Sequence, residues 1–437
     1  MKAGSAAIDY TPLPGLPLMG NYRDEYGARG VHDPLYARAL AFEDDAGARA
    51  AILSVDICMM DRVNVAFVRD CVSADCGLEP GRLLVAATHT HSAPAPMRLG
   101  SLPKCDDGAI ALFLRKAAGA VSAALEDLQP AELRAGVATE GGLSFNRRLL
   151  CTDGATHMNW ERPEPGFVVR ALGPIDPEVR VLAVRRAGRQ VAAAVNFALH
   201  PAILAGDNWL YSADFPGYLA QAMAGLAGND FVAAFWNGCA GNVNHLDYAD
   251  PLQGRGFKEA QRVGYALALK AERAARQATA VPGGPVAVSR EFVELRRLPV
   301  SAERAEWCRA VLQQRKPPGE VDGLPDEYYA ATGIGMYQNQ HTPDRAEVMA
   351  MRIGNVGIVG LPGEVFCEYG LQIKRRSPAP HTMVVELAND AVGYLPTAEA
   401  FAQGGYEPSA GATFYTADAG SRLADSAIRQ LEGLFGA

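Results

Sequence analysis

The chain has 437 residues, 49% of them hydrophobic and 21% charged. That balance belongs to a globular protein and excludes long disorder, collagen and a disulfide-built miniprotein. Its 41 basic and 49 acidic residues leave a net charge of −8, the wrong sign for a nucleic-acid or anionic-membrane binder, so neither is expected as a partner.

Met1 to Gly15 has no apolar targeting core and passes directly into turn-rich sequence, which reads as the start of a cytoplasmic protein. No run of ~18 apolar residues occurs, so no transmembrane segment is expected. Short Val-, Ile- and Phe-rich runs ended by small or polar residues predict buried strands, and apolar spacing of three and four predicts helices. In chain order these give a strand at Ala50–Ile57, a helix at Val63–Asp75, a strand at Arg82–Ala87 and a helix at Ala109–Leu128. Strands at Val179–Arg185 and Gln190–Leu199 flank the hairpin break Ala187-Gly188-Arg189. A helix at Asp214–Ala227 follows, with Ser212 as its expected N-cap and Pro216 tolerated in its first turn. Next come a strand at Phe231–Trp236, a helix at Lys258–Ala278, a strand at Ala287–Leu295 and a helix at Ala302–Gln314. Arg315–Asn339 is rich in Pro, Gly, Asp and Tyr, and is expected as a long loop over an active site or an oligomer interface. Strands at Glu347–Ile353 and Val356–Gly360 meet at Gly354-Asn355, before a strand at Thr382–Glu386 and a helix at Gly420–Leu434.

Strands alternating with helices, hairpins among them, predict an α/β protein with mixed β-sheets and surrounding helices. At ~150 residues per domain the length suits about three domains or one large unit. No linker or internal repeat divides the sequence, so one domain over residues 1–437 is expected. The eight cysteines form no CxxC pair and read as buried reduced thiols in a cytosolic setting. The partner expected is a small-molecule substrate; a homo-oligomer stays open.

Unusual polar clusters sit where apolar strands end. Arg82–Ala87 runs into Thr88-His89-Thr90-His91-Ser92, and Gln190–Leu199 into His200-Pro201. Phe231–Trp236 runs into Asn237-Gly238-Cys239-Ala240-Gly241-Asn242-Val243-Asn244-His245, and Val356–Gly360 into Leu361-Pro362-Gly363-Glu364. Strand ends and the loops after them are where α/β sheets bind ligands. His89 and His91, two apart on an extended strand, would share a face and approach one metal ion or one substrate. Two hydrogen-bonded loop histidines would look the same in sequence. His200 alone could satisfy backbone groups, and Glu364 could be a turn residue or a helix-start charge.

The block VAATHTHSAPAP (Val85–Pro96) resembles the HTHSGPGG motif of the neutral/alkaline, non-lysosomal ceramidase family. GVHDPLYARA (Gly30–Ala39), SVDICMM (Ser54–Met60), NFALHPAI (Asn196–Ile203), SADFPGY (Ser212–Tyr218), LPGEVF (Leu361–Phe366) and GYLPTAEAFAQGGYEP (Gly393–Pro408) resemble further blocks of that family, in order. The resemblance implies a ceramidase-like catalytic domain holding one Zn2+ through His89, His200, Glu364 and Tyr406. It places His91 beside the metal as a hydrogen-bond or proton-transfer group and Arg147 on the substrate's polar part. The family's GDVSP segment aligns with Gly241–His245, where Asn244 stands for the serine and Asn242 for the acid. Asparagine can donate to an oxyanion but cannot attack a carbonyl, so Asn244 is expected as an oxyanion donor. Asp33 and Asp214 are expected as acceptors fixing the ligand histidines. Family ceramidases typically carry a C-terminal immunoglobulin-like domain; this sequence stops soon after Leu434, so none is expected, and long-chain ceramide is not the expected substrate. The function expected is a zinc-dependent hydrolase cleaving the C–N amide bond of a small polar substrate by metal-activated water. A zinc-dependent ester, lactone or glycoside hydrolase and a catalytically inactive metal- or ligand-binding homologue are the alternatives.

Overall fold

The computed structural model describes residues 1–23, 25–100, 102–228, 230–250, 252–313, 320–321 and 324–436. Three sheets are built in succession along the chain. Lys2–Asp9 (β1), Tyr36–Glu43 (β2), Arg49–Val55 (β3) and Leu83–Ala87 (β4) form the first, in the order β4-β3-β2-β1 with Gln129–Pro130 at the far edge. Glu132–Thr139 (β5), Glu178–Arg186 (β6), Arg189–Phe197 (β7) and Val232–Asn237 (β8) form the second, in the order β8-β7-β6-β5 with Thr279–Ala280 beyond. Val286–Leu295 (β9), Asp344–Ile353 (β10), Val356–Gly360 (β11) and His381–Val385 (β12) form the third, in the order β9-β10-β11-β12. The main helices are Arg62–Cys76 (α1), Asp107–Glu126 (α2), Asp214–Ala227 (α3), Phe257–Gln277 (α4), Ala302–Leu312 (α5), Asp326–Asn339 (α6), Cys367–Arg376 (α7) and Ala419–Phe435 (α8).

The three sheets share one plan. Each contains an antiparallel hairpin (β2–β3, β6–β7, β10–β11) followed by a helix and a parallel edge strand. Parallel neighbours need a crossover, and α1, α3 and α7 supply it. The repeat is architectural and leaves no trace in the sequence.

Alternation along the strands explains why so many read as continuous apolar runs. Leu40 and Phe42 of β2, Ile52 of β3 and Leu84 of β4 point inward to a core shared with Leu182, Trp236, Met351 and Ile358 of the other two sheets. Their neighbours Ala39, Ala41, Leu53 and Val85 point outward, to α1 and α2. The second sheet is covered the same way by α3 and α4, and the third by α7 and α8. Strands buried on both faces carry no polar alternation. By length and composition α2 is apolar enough to cross a membrane, but half of it is buried, and Ile110, Phe113, Ala117 and Val121 cover the first sheet.

Helix ends follow local chemistry. The Asp61 and Asp106 carboxylates accept from the Asn64 and Ala109 amides at 3.0 and 2.9 Å and start α1 and α2. Ser212 is not the N-cap of α3. That position belongs to Ala213, while the Ser212 hydroxyl accepts from the Asp214 amide and Asp214 itself has φ +55°. The expected loop over Arg315–Asn339 is also corrected. Residues 315–319 and 322–323 lie outside the described residues, and Asp326–Asn339 is α6, packed on α5.

Candidate metal centre

Loops from all three sheets meet on one side of the shared core. β4 ends at Ala87, and the chain turns sharply, with His89 at φ +75°, a conformation few non-glycine residues adopt. His89 and His91 therefore meet through a strained turn and not through strand alternation. The His89 amide donates to the Ile57 carbonyl, and its ring Nδ1 bonds the Cys58 carbonyl at 2.7 Å. With Nδ1 committed as a donor, Nε2 is the atom left for other partners; burial lowers the ring's pKa, but Cys58 and Glu364 outweigh that and raise it well above the ordinary histidine value. His200 follows β7 in the second sheet, and its Nδ1 faces the Ala240 carbonyl at 3.3 Å. Glu364 follows β11 in the third, after Gly363 at φ +148°, where a Cβ would lie 2.7 Å from the Gly393 carbonyl oxygen.

The three free ends converge. His89 Nε2 lies 3.1 Å from His200 Nε2 and 3.3 Å from Glu364 Oε2, and His200 Nε2 lies 3.9 Å from the same oxygen. All three residues are buried, and Glu364 Oε2 has no hydrogen-bond partner among the described residues. Two imidazole nitrogens and a buried carboxylate oxygen this close are stable only with positive charge among them, a proton on the His89 ring or a metal cation. Tetrahedral zinc with bonds near 2.0–2.1 Å places its ligand atoms roughly 3.3 Å apart, close to the separations seen. Burial first, and the neighbouring His89, keep the pKa of both His91 and His200 well below the ordinary histidine value, so each presents a neutral ring. The donor set fits a divalent metal. Cys58, His89 and His91 form a second cluster, but His89 Nδ1 already belongs to the Cys58 carbonyl.

His91 Nε2 stands 3.4 Å from His89 Nε2, its ring held by Asn21 at 3.5 Å and its amide by the Pro201 carbonyl. Gly20, at φ +104°, packs directly on the His91 ring, where a side chain would collide. Arg147 is buried. Its Nε donates to Glu407 at 2.8 Å, Nη2 donates to the Gly241 carbonyl at 2.7 Å, and its guanidinium lies 5.2 Å from both the Trp160 and Tyr394 rings. Burial lowers its pKa, but Tyr394 and Glu407 outweigh that and keep it charged. Asn244 exchanges two side-chain hydrogen bonds with Asn159, at 2.7 and 2.8 Å, which leaves one N–H uncommitted among the described residues in a side chain on the cavity lining.

Other expected roles need correction. Asp33 accepts from the Ala213 amide at 2.8 Å and contacts His32, and Asp214 accepts from the Leu204 and Phe215 amides at 2.9 and 2.6 Å. Neither bonds a ligand histidine; backbone carbonyls of Cys58 and Ala240 do that work. Asn242 turns away from the cavity and anchors α7, donating to Glu368 and accepting from the Cys367 amide. Tyr406 lines the cavity, packed edge-on at 5.4 Å from Tyr394. Tyr394 is the residue sequence reasoning missed: Glu364 and Tyr394 are register partners in a short parallel pair, and the Tyr394 hydroxyl is within hydrogen-bonding reach of Glu364 and Arg147. Burial, then the Glu364 charge, raise its pKa well above the usual tyrosine value. Its place in the GYLPT stretch that opens the last quoted block was the available signal. Glu386, at the end of β12, was missed as well; it accepts from the Val365 amide and so holds the Glu364 loop.

His89, His200 and Glu364, with His91, Arg147 and Asn244, face a cavity of about 650 Å³. Residues 2–245, more than half of the chain, match the family model for neutral/alkaline non-lysosomal ceramidase, N-terminal. The chain belongs to the neutral/alkaline non-lysosomal ceramidase family. It is 25% identical over 461 aligned residues to the neutral ceramidase of Pseudomonas aeruginosa, covering 91% of this chain and 66% of that one. With neutral ceramidase B of Dictyostelium discoideum it shares 23% identity, over 89% of this chain and 66% of the relative. The chain thus spans about two thirds of the length of the curated relatives it matches. The crystal structure of the Pseudomonas aeruginosa neutral ceramidase superposes with a TM-score of 0.78 at 22% identity, over 100% of this chain and 74% of that one. A structure described as ceramidase complexed with C2 gives the same TM-score at 21% identity. The α/β fold with mixed sheets is therefore the ceramidase fold.

Proposed function

We propose that this chain is a zinc-dependent hydrolase that cleaves the C–N amide bond of a small-molecule substrate. The observation that carries the reading is the convergence of His89 Nε2, His200 Nε2 and Glu364 Oε2, each from a different sheet, on the wall of the cavity. Relatives named as ceramidases supply the amide. His89, His200 and Glu364 would hold the ion, with a tyrosine hydroxyl at its edge; the pairing with Glu364 favours Tyr394 over Tyr406. The chemistry zinc supplies when bound is polarisation of a carbonyl and a fall in the pKa of a water from ~16 to roughly 7.

The chain's own groups complete the reaction. His91, a neutral ring on the cavity wall, takes a proton at Nε2 from the attacking water and returns it to the departing nitrogen. The free N–H of Asn244 donates to the carbonyl oxygen as negative charge develops there. Arg147, fixed by Glu407 and the Gly241 carbonyl, orients the polar part of the substrate without moving. Asn244 cannot act as a nucleophile, so water is the attacking group. The eight cysteines are all unpaired, which supports a reducing, cytoplasmic setting as part of the same reading.

Purified protein assayed on a panel of amides and esters, before and after chelation, tests the proposal. Amide turnover that disappears with the metal and returns with added zinc is the expected result. Activity that survives complete metal removal would overturn it, and so would turnover confined to esters, lactones or glycosides. Stoichiometric metal with no turnover would instead identify a binding homologue.

A further inference from the structure

Four arginines line the cavity, Arg98, Arg147, Arg255 and Arg297, against a single carboxylate among the described residues, Glu364. This inverts the charge of a chain that carries −8 overall. Arg147 is committed to Glu407 and Arg297 to Asp344, whereas Arg98 and Arg255 have no ion pair among the described residues. Arg255 is exposed by surface area; the partial desolvation it does carry lowers its pKa, like-charge repulsion from Arg162 lowers it further, and Asp207 opposes both.

His245 belongs to the same part of the lining. It is 2% exposed, and neither ring nitrogen has a hydrogen-bond partner among the described residues. Burial brings its pKa down to about 4, and Arg255 and Arg162 act in the same direction, against Glu259 and the Gly254 carbonyl. Glu259 is already bound to Arg262 at 2.7 and 2.8 Å and to Gln253. An arginine with no ion pair among the described residues and a buried imidazole that only the Gly254 carbonyl approaches together describe half of an anion site. The cavity also has an apolar part, where Leu99, Leu102 and Tyr328 pack as a cluster.

We propose that the substrate is an N-acyl compound bearing an anionic oxygen group, a carboxylate or a phosphate, which Arg255 and His245 receive while Leu99, Leu102 and Tyr328 cover its apolar portion. This rests on the amide-hydrolase reading and narrows it. Guanidinium matches either anion with paired N–H donors, and the imidazole N–H adds a third.

Binding of hydrolysis-resistant sulfonamide analogues, followed by calorimetry, tests it. The probes are N-dodecylsulfonylglycine, the uncharged N-dodecylsulfonylglycinamide, and N-dodecylsulfonyl-phosphoethanolamine. At least one anionic probe should bind ~10-fold or more tighter than the glycinamide, and the tighter of the two names the anion. Raising salt should shrink the preference. In Arg255→Met and in His245→Gln the ratio should fall toward one. Equal binding of charged and neutral probes, or a ratio unchanged in both variants, overturns the proposal. Anion preference in a protein that hydrolyses no amide would keep this site and refute the amide reading. Amide hydrolysis with no anion preference would do the reverse.

Discussion

Glu407 is 0% exposed and accepts from Arg147 Nε at 2.8 Å and from Arg148 Nη1 at 2.6 Å; the two arginines are 3% and 2% exposed. Glu407→Gln keeps the shape and removes the charge, leaving two buried cations facing an amide. Removing one member of a buried ion pair costs about 3–5 kcal/mol, since the remaining charge stays desolvated. Both arginines retain a backbone acceptor, the Gly241 carbonyl for Arg147 and the Gly404 carbonyl for Arg148, each at 2.7 Å. These bonds place the expected loss at the low end, about 3 kcal/mol. Urea unfolding, compared at equal slope, measures it. Amide turnover should fall too, because Glu407 fixes Arg147 and adjoins Tyr406. A loss below about 1 kcal/mol, the range of an exposed pair, would refute the claim that this triad holds the cavity wall.

Gly20→Ala places a methyl group against the His91 ring at a backbone angle that favours glycine; turnover should drop ~10²-fold with metal content unchanged by elemental analysis. Asn244→Ala removes the uncommitted donor and the partner of Asn159. It should lower turnover ~10²-fold, and unchanged turnover in steady-state kinetics would confine Asn244 to scaffolding. Burial raises the Asp214 pKa to about 7, against about 3.9 in an unfolded chain. The folded state thus holds the proton more tightly, so this contribution to stability is full below pH ~4 and is lost as pH rises through ~7. Asp214→Asn should flatten that fall in a series of melting curves, and an unaltered pH profile would contradict it.

Much of the site was legible because its residues end buried strands, and a run such as Leu83–Ala87 stopping at a histidine is visible without coordinates. The first two strands were not. Lys2–Asp9 and Tyr36–Glu43 are rich in alanine, which packs under helices yet carries no strand signal in sequence. The α6 segment DEYYAATGIGMYQN contains two glycines and no apolar stripe, so it read as loop; packing on α5 makes it a helix, and Tyr328 and Met336 then line the cavity. Asp33 and Asp214 misled for a different reason. A carboxylate near a histidine in sequence is a plausible orienting acceptor, but backbone amides reached both first. No pattern in a single sequence shows which of Tyr394 and Tyr406 meets Glu364, since both lie in one block and only the short strand pair at Glu364 decides it.

Zinc-edge anomalous diffraction from crystals of the purified protein tests the central claim most directly. The account predicts one peak, within bonding distance of His89 Nε2, His200 Nε2 and Glu364 Oε2 together. A map with no peak at that position, from protein that hydrolyses amides, would contradict it.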